Sequence, residues 1–189
     1  MNNIPFFEKK NFLNDRDFKL VIEEITKLSD EFTPFYYGET QIYRINLDQR
    51  FIDNRSESAI LSLIHTRLFD KKMIEEVSAN NDLAFMLFSF PHRYTTVISQ
   101  MREERSYRPH TDMHSGNDWN RNFLSWIYYI NDDFNGGELV IETDEGEVTV
   151  NPEKNKLVLL PSYRLHKVNK PIYDKGQNFR TTINGFMSI

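Results

Sequence analysis

The distribution of strand-forming residues constrains the fold more than any other feature of this sequence. From residue 83 onward, short runs rich in β-branched and aromatic residues are separated by Gly, Pro, Asn and Asp. This pattern is typical of an antiparallel sandwich or barrel. We predict strands at residues 84–89, 94–101, 106–112, 123–130, 138–142, 147–150, 156–160, 165–169 and 179–187.

Two amphipathic stretches precede these strands. Apolar residues recur at helical spacing over residues 15–28 and again from about residue 56 to residue 77, which predicts helices in both places. Helices followed by strands indicate an α+β chain, and we expect a double-stranded β-helix, or jelly roll, with supporting N-terminal helices. The length of 189 residues suits one domain, with helical support over residues 1–82 and the jelly-roll core over residues 83–189.

Composition excludes several classes of function. The formal net charge of −5 offers no basic surface for a phosphate backbone, so we expect no nucleic-acid partner. The absence of cysteine excludes disulfides and thiolate metal sites, so any metal must be held by imidazole and carboxylate groups. There is no N-terminal signal pattern and no apolar run of roughly 18 residues. We therefore expect a cytoplasmic protein without a membrane partner.

One short motif carries the chemistry. His110 and Asp112 form a His-x-Asp tripeptide on a predicted strand, where side chains two residues apart point to the same face. Such tripeptides also arise often by chance, so a third ligand is needed. His166 lies on a later predicted strand that a barrel can bring beside the first. Two histidines and one carboxylate are the ligand set of non-haem Fe(II) oxygenases.

A second candidate is the arginine near the C-terminus. Arg180 is the second residue of the last predicted strand, which is otherwise largely apolar. A buried guanidinium needs an anionic partner, and its planar fork matches a carboxylate. A dicarboxylate co-substrate would supply that partner. The alternative is an ordinary surface arginine at the edge of a sheet.

The order of motifs along the second half of the chain resembles a known family. His-x-Asp at residues 110–112 is followed by GGEL at 136–139, LVLLPS at 157–162, LHKV at 165–168 and RTTINGF at 180–186. The segment RNFLSWIYYIN at residues 121–131 is similar to a strand of that family that ends in Tyr-Leu-Asn. Over residues 107–186 the chain resembles the prolyl 4-hydroxylase-like branch of the Fe(II)/2-oxoglutarate-dependent oxygenases.

This resemblance implies a role for each site residue. His110, Asp112 and His166 would be the catalytic metal ligands. Arg180 and Tyr129 would hold the distal carboxylate of 2-oxoglutarate. Two further residues are candidates for binding this co-substrate: Tyr107 and Thr182. Strict alternation along the strand would place Tyr107 on the opposite face from His110.

The resemblance also implies the reaction. Fe(II), 2-oxoglutarate and O2 would be used, with ascorbate as an additional reductant, and succinate and CO2 would be released. Because family members that halogenate lack the carboxylate ligand, Asp112 favours hydroxylation of a C–H bond. Two rivals share the fold: a cupin-like metalloenzyme that does not use 2-oxoglutarate, and a non-catalytic sensor or binding module. Arg180 and Tyr129 argue against the first rival, and the complete triad argues against the second.

The substrate is the least determined part of the function. A protein substrate with a prolyl residue, a free amino acid and a small natural product all stay open. The polar segment 114–122 is a candidate lid, and Trp119 and Phe186 are candidate substrate contacts. Arg108 shares strand parity with His110, so we expect it to pair with a carboxylate of a small substrate. A solvated strand face is the alternative explanation for this arginine.

Overall fold

Two antiparallel sheets form the body of the protein in the computed structural model, which describes residues 6–37, 40–79, 81–88, 93–113, 122–176 and 178–188. The strands are β1 (Phe7–Lys9), β2 (Thr33–Tyr37), β3 (Thr40–Asn46), β4 (Arg93–Met101), β5 (Tyr107–His110), β6 (Asn122–Tyr129), β7 (Asn135–Gly136), β8 (Leu139–Thr143), β9 (Gly146–Val150), β10 (Lys156–Pro161), β11 (His166–Val168), β12 (Pro171–Ile172) and β13 (Arg180–Ser188). The α-helices are α1 (Asp15–Lys27), α2 (Leu47–Arg50), α3 (Ala59–Leu68), α4 (Lys71–Ser78) and α5 (Asn81–Phe88), with 3-10 helices at Ser29–Glu31 and Arg55–Glu57.

The two sheets face each other across one apolar core. The larger sheet has the strand order β1-β10-β6-β13-β4-β3-β2, the smaller has the order β5-β11-β8-β9, and β12 pairs separately with β7. Ile127 and Leu160 of the larger sheet meet Leu139 and Ile141 of the smaller one in this core. The predicted double-stranded β-helix is therefore confirmed.

The opposite face of the larger sheet packs against the helices. Alternate residues of a strand point to opposite faces, so Trp126 and Tyr128 face the helices whereas Ile127 and Tyr129 face the smaller sheet. The helices contribute the following buried residues: Phe18, Val21, Ile25, Ile60, Leu61, Ile64, Leu68, Met73, Val77, Leu83 and Leu87. None of the helices in the described ranges is long and apolar enough to cross a membrane.

Polar side chains fix where the helices begin. Asn14, Ser58 and Asp70 each accept a hydrogen bond from the backbone N–H three residues later, at the starts of α1, α3 and α4. These caps satisfy N–H groups that have no partner within the helix. The Glu24 carboxylate of α1 accepts from the Ser58 hydroxyl at 2.7 Å and from the Ile60 N–H at 2.8 Å. One acidic side chain thus ties the first helix to the start of the third.

Most predicted strands are present. The sequence analysis predicted eight strands from residue 94 onward. Each of them is present, and each begins and ends within two residues of its predicted bounds. Two further strands, β7 and β12, are too short to be read from a sequence pattern. The first 82 residues hold helices as expected and also three strands that the sequence analysis did not predict, which are β1, β2 and β3.

The strand predicted at residues 84–89 is wrong. This segment belongs to helix α5, whose buried residues Leu83 and Leu87 lie one helical turn apart and face the sheet. A short apolar run fits a buried strand and a buried helix equally well, because periodicity does not separate them over so few residues.

Candidate active site

Two histidines and one aspartate converge at the mouth of the barrel. His110 on β5 and His166 on β11 are directly opposite each other across the antiparallel pair, and their ring centroids are 4.3 Å apart. Asp112 lies two residues beyond His110, where its backbone N–H donates to the Ser162 carbonyl at 2.9 Å. The Asp112 carboxylate lies 3.4 Å from His110 Nε2 and 3.5 Å from His166 Nε2. These side chains could hold one metal ion.

Backbone carbonyls orient both imidazoles. His110 Nδ1 lies 2.9 Å from the Arg108 carbonyl oxygen, and His166 Nδ1 lies 3.0 Å from the Arg164 carbonyl oxygen. A carbonyl only accepts, so each Nδ1 carries the proton and donates it. The two Nε2 atoms are then left with lone pairs beside Asp112, which is the tautomer a metal requires.

The electrostatics of the three residues suit a divalent cation. Burial acts to raise the pKa of Asp112, but the interactions with the His110 and His166 rings outweigh it, so the pKa lies below its usual value. Burial lowers the pKa of His166 more than Asp112 raises it. The site therefore presents a charged carboxylate and a neutral imidazole, and metal coordination needs both.

A bulge in β5 decides which side chains accompany His110. His110 pairs with His166 but Tyr107 pairs with Val168, so three steps along β5 oppose two along β11. The extra residue brings the Tyr107 ring to 4.7 Å from the His110 ring and into the cavity. Arg108 is exposed and does not line the cavity. Strict alternation predicted that Tyr107 would face away from His110 and that Arg108 would share the face of His110. Both predictions are wrong.

The sequence holds one signal for this bulge. Pro109 lies within β5, which is an edge strand of the smaller sheet. Proline cannot donate to a ladder and is confined to edges, strand starts and bulges. Because Pro109 directly precedes the ligand His110, strict alternation of side chains should not be assumed in this strand.

Arg180 lies deep in the same cavity. The residue is 4% exposed, and its Nε donates to the Gly137 carbonyl at 3.0 Å while Nη1 lies 3.8 Å from Met101 Sδ. Among the described residues, no carboxylate forms an ion pair with this guanidinium. Burying a charge without an anionic partner is costly. The position is therefore suited to an anionic ligand.

Tyr129 lies beside this arginine. The guanidinium carbon is 5.3 Å from the centre of the Tyr129 ring. The Tyr129 hydroxyl is fully buried and has no hydrogen-bond partner of normal geometry among the described residues. Burial raises the pKa of Tyr129 and Arg180 acts in the opposite direction, so the phenol is protonated at neutral pH. An orphaned donor next to an unpaired cation fits the distal carboxylate of 2-oxoglutarate.

One cavity of about 140 Å³ joins these groups. His110, Asp112 and His166 line it together with Arg180. The other predicted site residues that line it are Tyr107, Thr182 and Phe186. Tyr129 does not line the cavity itself but lies next to Arg180, which does. The predicted contact Trp119 and nearly all of the segment 114–122 lie outside the described residues.

Sequence reasoning missed one wall of this cavity. Phe35 and Arg44 belong to the unpredicted strands β2 and β3, and Ser99 and Asn184 belong to predicted strands but were not predicted as site residues. The available signal was an arginine between apolar residues in the sequence Ile42-Tyr-Arg-Ile45. Such a residue on a strand faces a site or solvent.

The jelly roll and the His-Asp-His triad are together the features of non-haem Fe(II) oxygenases. A model of the family described as the 2OG-Fe(II) oxygenase superfamily matches residues 92–188, just over half of the chain. The protein therefore belongs to the 2OG-Fe(II) oxygenase superfamily, and it is a 2-oxoglutarate-dependent dioxygenase. No curated protein sequence matches it significantly.

Solved structures with this fold include two prolyl hydroxylases and an epimerase. A prolyl-4-hydroxylase of Pseudomonas putida is 16% identical, with a TM-score of 0.69 over 97% of this chain and 92% of that one. A prolyl hydroxylase of Trichoplax adhaerens, in complex with a hypoxia inducible factor peptide fragment, is 16% identical with a TM-score of 0.72 over 99% and 84%. The epimerase SnoN, in complex with Fe3+, alpha ketoglutarate and nogalamycin RO, is 12% identical with a TM-score of 0.65 over 98% and 79%. The prolyl 4-hydroxylase-like fold expected from the sequence is confirmed.

Proposed function

We propose that this enzyme hydroxylates an unactivated C–H bond, with iron held by His110, Asp112 and His166. Bound Fe(II) would supply the activation of O2, coupled to conversion of 2-oxoglutarate to succinate and CO2. The donor set fits that metal, because two neutral imidazoles and one carboxylate leave several coordination positions open. Retention of Asp112 favours hydroxylation.

The observation that carries the proposal is the unpaired buried guanidinium of Arg180 in the same cavity as the triad. An enzyme of this fold that does not use 2-oxoglutarate has no need for a buried cation there. Arg180 would bind the distal carboxylate of 2-oxoglutarate as a charge-assisted pair, and Tyr129 would donate its hydroxyl to the same group. Thr182 is directly opposite Tyr129 in the sheet and lines the cavity, so it would border the bound co-substrate.

The remaining side chains would orient and enclose the reactants. The bond from each Nδ1 to a backbone carbonyl holds the imidazoles in place before metal binds. Tyr107 packs against His110 and shields one side of the triad from water. Phe186 lines the cavity from β13 and would contact the substrate, as Trp119 would if segment 114–122 closes over it.

The proposed substrate is a prolyl residue in a protein or a free amino acid. Similar structures include prolyl hydroxylases, one of them with a peptide bound, which supports a reacting proline or a compound of similar size. Because one structure with this fold is an epimerase, the configuration of the product carbon should be measured together with hydroxylation. Ascorbate is proposed to sustain turnover by keeping the metal reduced.

Iron binding tests the metal site directly. Fe(II) is titrated into His166→Gln, Asp112→Ala and wild type without oxygen, and affinity is read by calorimetry. Both variants should lose high-affinity binding while keeping the wild-type circular dichroism spectrum. His65→Gln is a matched control, because it removes a partly buried histidine that hydrogen-bonds to Thr96 on the helical side of the sheet. Wild-type affinity in Asp112→Ala would refute the assignment.

A further inference from the structure

A second arginine lines the cavity that contains Arg180. The guanidinium carbon of Arg44, on β3, lies 3.3 Å from the centre of the Phe35 ring, and both residues line the cavity that holds the triad. Arg44 is half-buried, and its side chain forms no ion pair or hydrogen bond with any residue of the described ranges. Burial lowers its pKa, although an arginine stays charged at any physiological pH.

The strand register sets the backbones of Arg44 and Arg180 two strands apart, with β4 between them. Arg44 is opposite Ser99 on β4, Ser99 is opposite Thr182 on β13, and Thr182 is opposite Tyr129 on β6. Neighbouring strands are about 4.8 Å apart, so the backbone of Arg44 lies roughly 10 Å from β13 and roughly 14 Å from β6. Arg180 lies two residues before Thr182 and donates from Nε to the Gly137 carbonyl, whereas Arg44 stacks on Phe35 of β2, so different parts of the chain hold the two guanidinium groups.

Arg44 lies on the side of the metal ligands. Tyr107 is close enough to Arg44 for an electrostatic interaction, and its ring lies 4.7 Å from the His110 ring. Tyr107 thus interacts with both Arg44 and the ligand His110. A small molecule anchored at Arg44 would extend over the triad, where a C–H bond must be presented.

The surroundings of Arg44 suit a small amphipathic acid. Ser99 and Asn184 add hydrogen-bonding groups to the inner face of the larger sheet, while Phe35 and Phe186 add apolar surface. The cavity of about 140 Å³ is small once a co-substrate is counted. An internal residue of a peptide chain brings no carboxylate at its reacting end, so the guanidinium would be left desolvated and unpaired.

We propose that Arg44 binds a carboxylate of the substrate, and that the substrate is a small carboxylic acid such as a free L-amino acid. This inference rests on the proposed function, because it assigns the second substrate of the same dioxygenase site. It replaces Arg108 by Arg44 as the residue that recognises the substrate anion.

Binding of matched acids and amides tests the inference. Enzyme loaded with Fe(II) and 2-oxoglutarate is kept without oxygen and titrated with L-amino acids, with their primary amides and with end-blocked prolyl tripeptides. At least one acid should bind, and its amide should bind at least about tenfold more weakly, as the loss of one charge-assisted contact predicts. The preference for the acid over its amide should fall below about threefold in Arg44→Gln. Arg44→Lys should keep part of this preference. Arg102→Gln is the matched control: Arg102 stacks on Tyr43 at 4.1 Å but does not line the cavity, so its loss should leave the preference unchanged.

Each other outcome has a defined meaning. An acid preference in Arg44→Gln equal to that of wild type would overturn the inference. Binding of the blocked tripeptides without binding of any acid would overturn it in favour of a protein substrate, and binding of none of the compounds would overturn it as well. Failure of the proposed function is recognised separately, because wild type would then bind neither Fe(II) nor 2-oxoglutarate in the preceding loading step.

Discussion

Arg180 Nε donates a hydrogen bond to the Gly137 carbonyl oxygen at 3.0 Å, which connects the start of β13 to the turn after β7. Gly137 has a φ of +70°, and a Cβ placed on it would lie 3.0 Å from Arg180 Cδ and 2.9 Å from Phe134 Cε2. The glycine thus supplies both an acceptor for the arginine and the space in which the arginine lies. The positive φ of Gly137 and its lack of a side chain therefore both contribute to holding Arg180 in place.

Replacing Arg180 by Ala should weaken 2-oxoglutarate binding without removing iron. Loss of a charge-assisted contact costs about 2 to 4 kcal/mol, so the apparent KM for 2-oxoglutarate should rise about 30-fold or more. Succinate formation against 2-oxoglutarate concentration measures this, with Arg102→Ala as the control arginine outside the cavity. An unchanged KM would support the rival that does not use the co-substrate.

Gly137→Ala should affect co-substrate binding and stability together. A positive φ disfavours alanine by about 1 to 2 kcal/mol, and the added methyl group displaces the Arg180 stem. We expect a stability loss of that size and a KM for 2-oxoglutarate raised about tenfold. Gly176→Ala is the control, because Gly176 has a φ of +90° and nothing within 4 Å of the added Cβ. It should lose stability without any change in KM, and equal KM values for the two variants would contradict the prediction.

Tyr129→Phe should separate stability from co-substrate binding. Within the described part of the chain, the buried Tyr129 hydroxyl has no hydrogen-bond partner of normal geometry, so its removal takes away a desolvated group and should leave the free energy of unfolding unchanged or slightly higher. Affinity for 2-oxoglutarate should fall by about tenfold or less, because one neutral donor is lost. Urea unfolding of the apoprotein and calorimetry of the loaded enzyme give the two values. Marked destabilisation would show that the hydroxyl has a structural partner instead.

His65 should make stability depend on pH. Burial, with Arg55 nearby, lowers the pKa of His65 to about 4 from its usual 6.5. The unfolded chain therefore takes up a proton between those values while the folded chain does not, so folding stability falls as pH drops. The loss should be about 1 to 2 kcal/mol between pH 7 and pH 5. In His65→Gln, this contribution to the loss of folding stability should be absent. Urea unfolding of both proteins at pH 7 and pH 5 measures the difference. Identical pH dependence of the two proteins would argue against a neutral, partly buried histidine at this position.

The triad could be predicted from sequence because its geometry follows from strand pairing. His110 and His166 were placed on strands that a barrel makes neighbours, and they are directly opposite each other. Arg180 was predicted from the cost of burying a guanidinium on a mainly apolar strand. Both predictions use only the local residue pattern of the strands and the general strand topology of a barrel.

The parts that sequence reasoning missed depend on contacts made far along the chain. The face shown by Tyr107 depends on how many residues of β11 oppose β5, which no local pattern contains. The presence of Arg44 in the cavity depends on the pairing of β3 with β4, which the sequence analysis did not predict. Helix α5 was predicted as a strand because its apolar run is shorter than the window that separates the two periods.

The β5 bulge has a consequence for comparing this chain with its relatives. In a strand without a bulge, the side chain that shares the face of the first ligand histidine lies two residues before it, whereas here Tyr107 lies three residues before His110. An alignment that runs without gaps through this strand would therefore equate Tyr107 with an outward-facing residue of a regular relative and Arg108 with an inward-facing one. A one-residue gap between Tyr107 and His110 restores the spatial match, and deletion of one residue there would leave the tyrosine facing the same way.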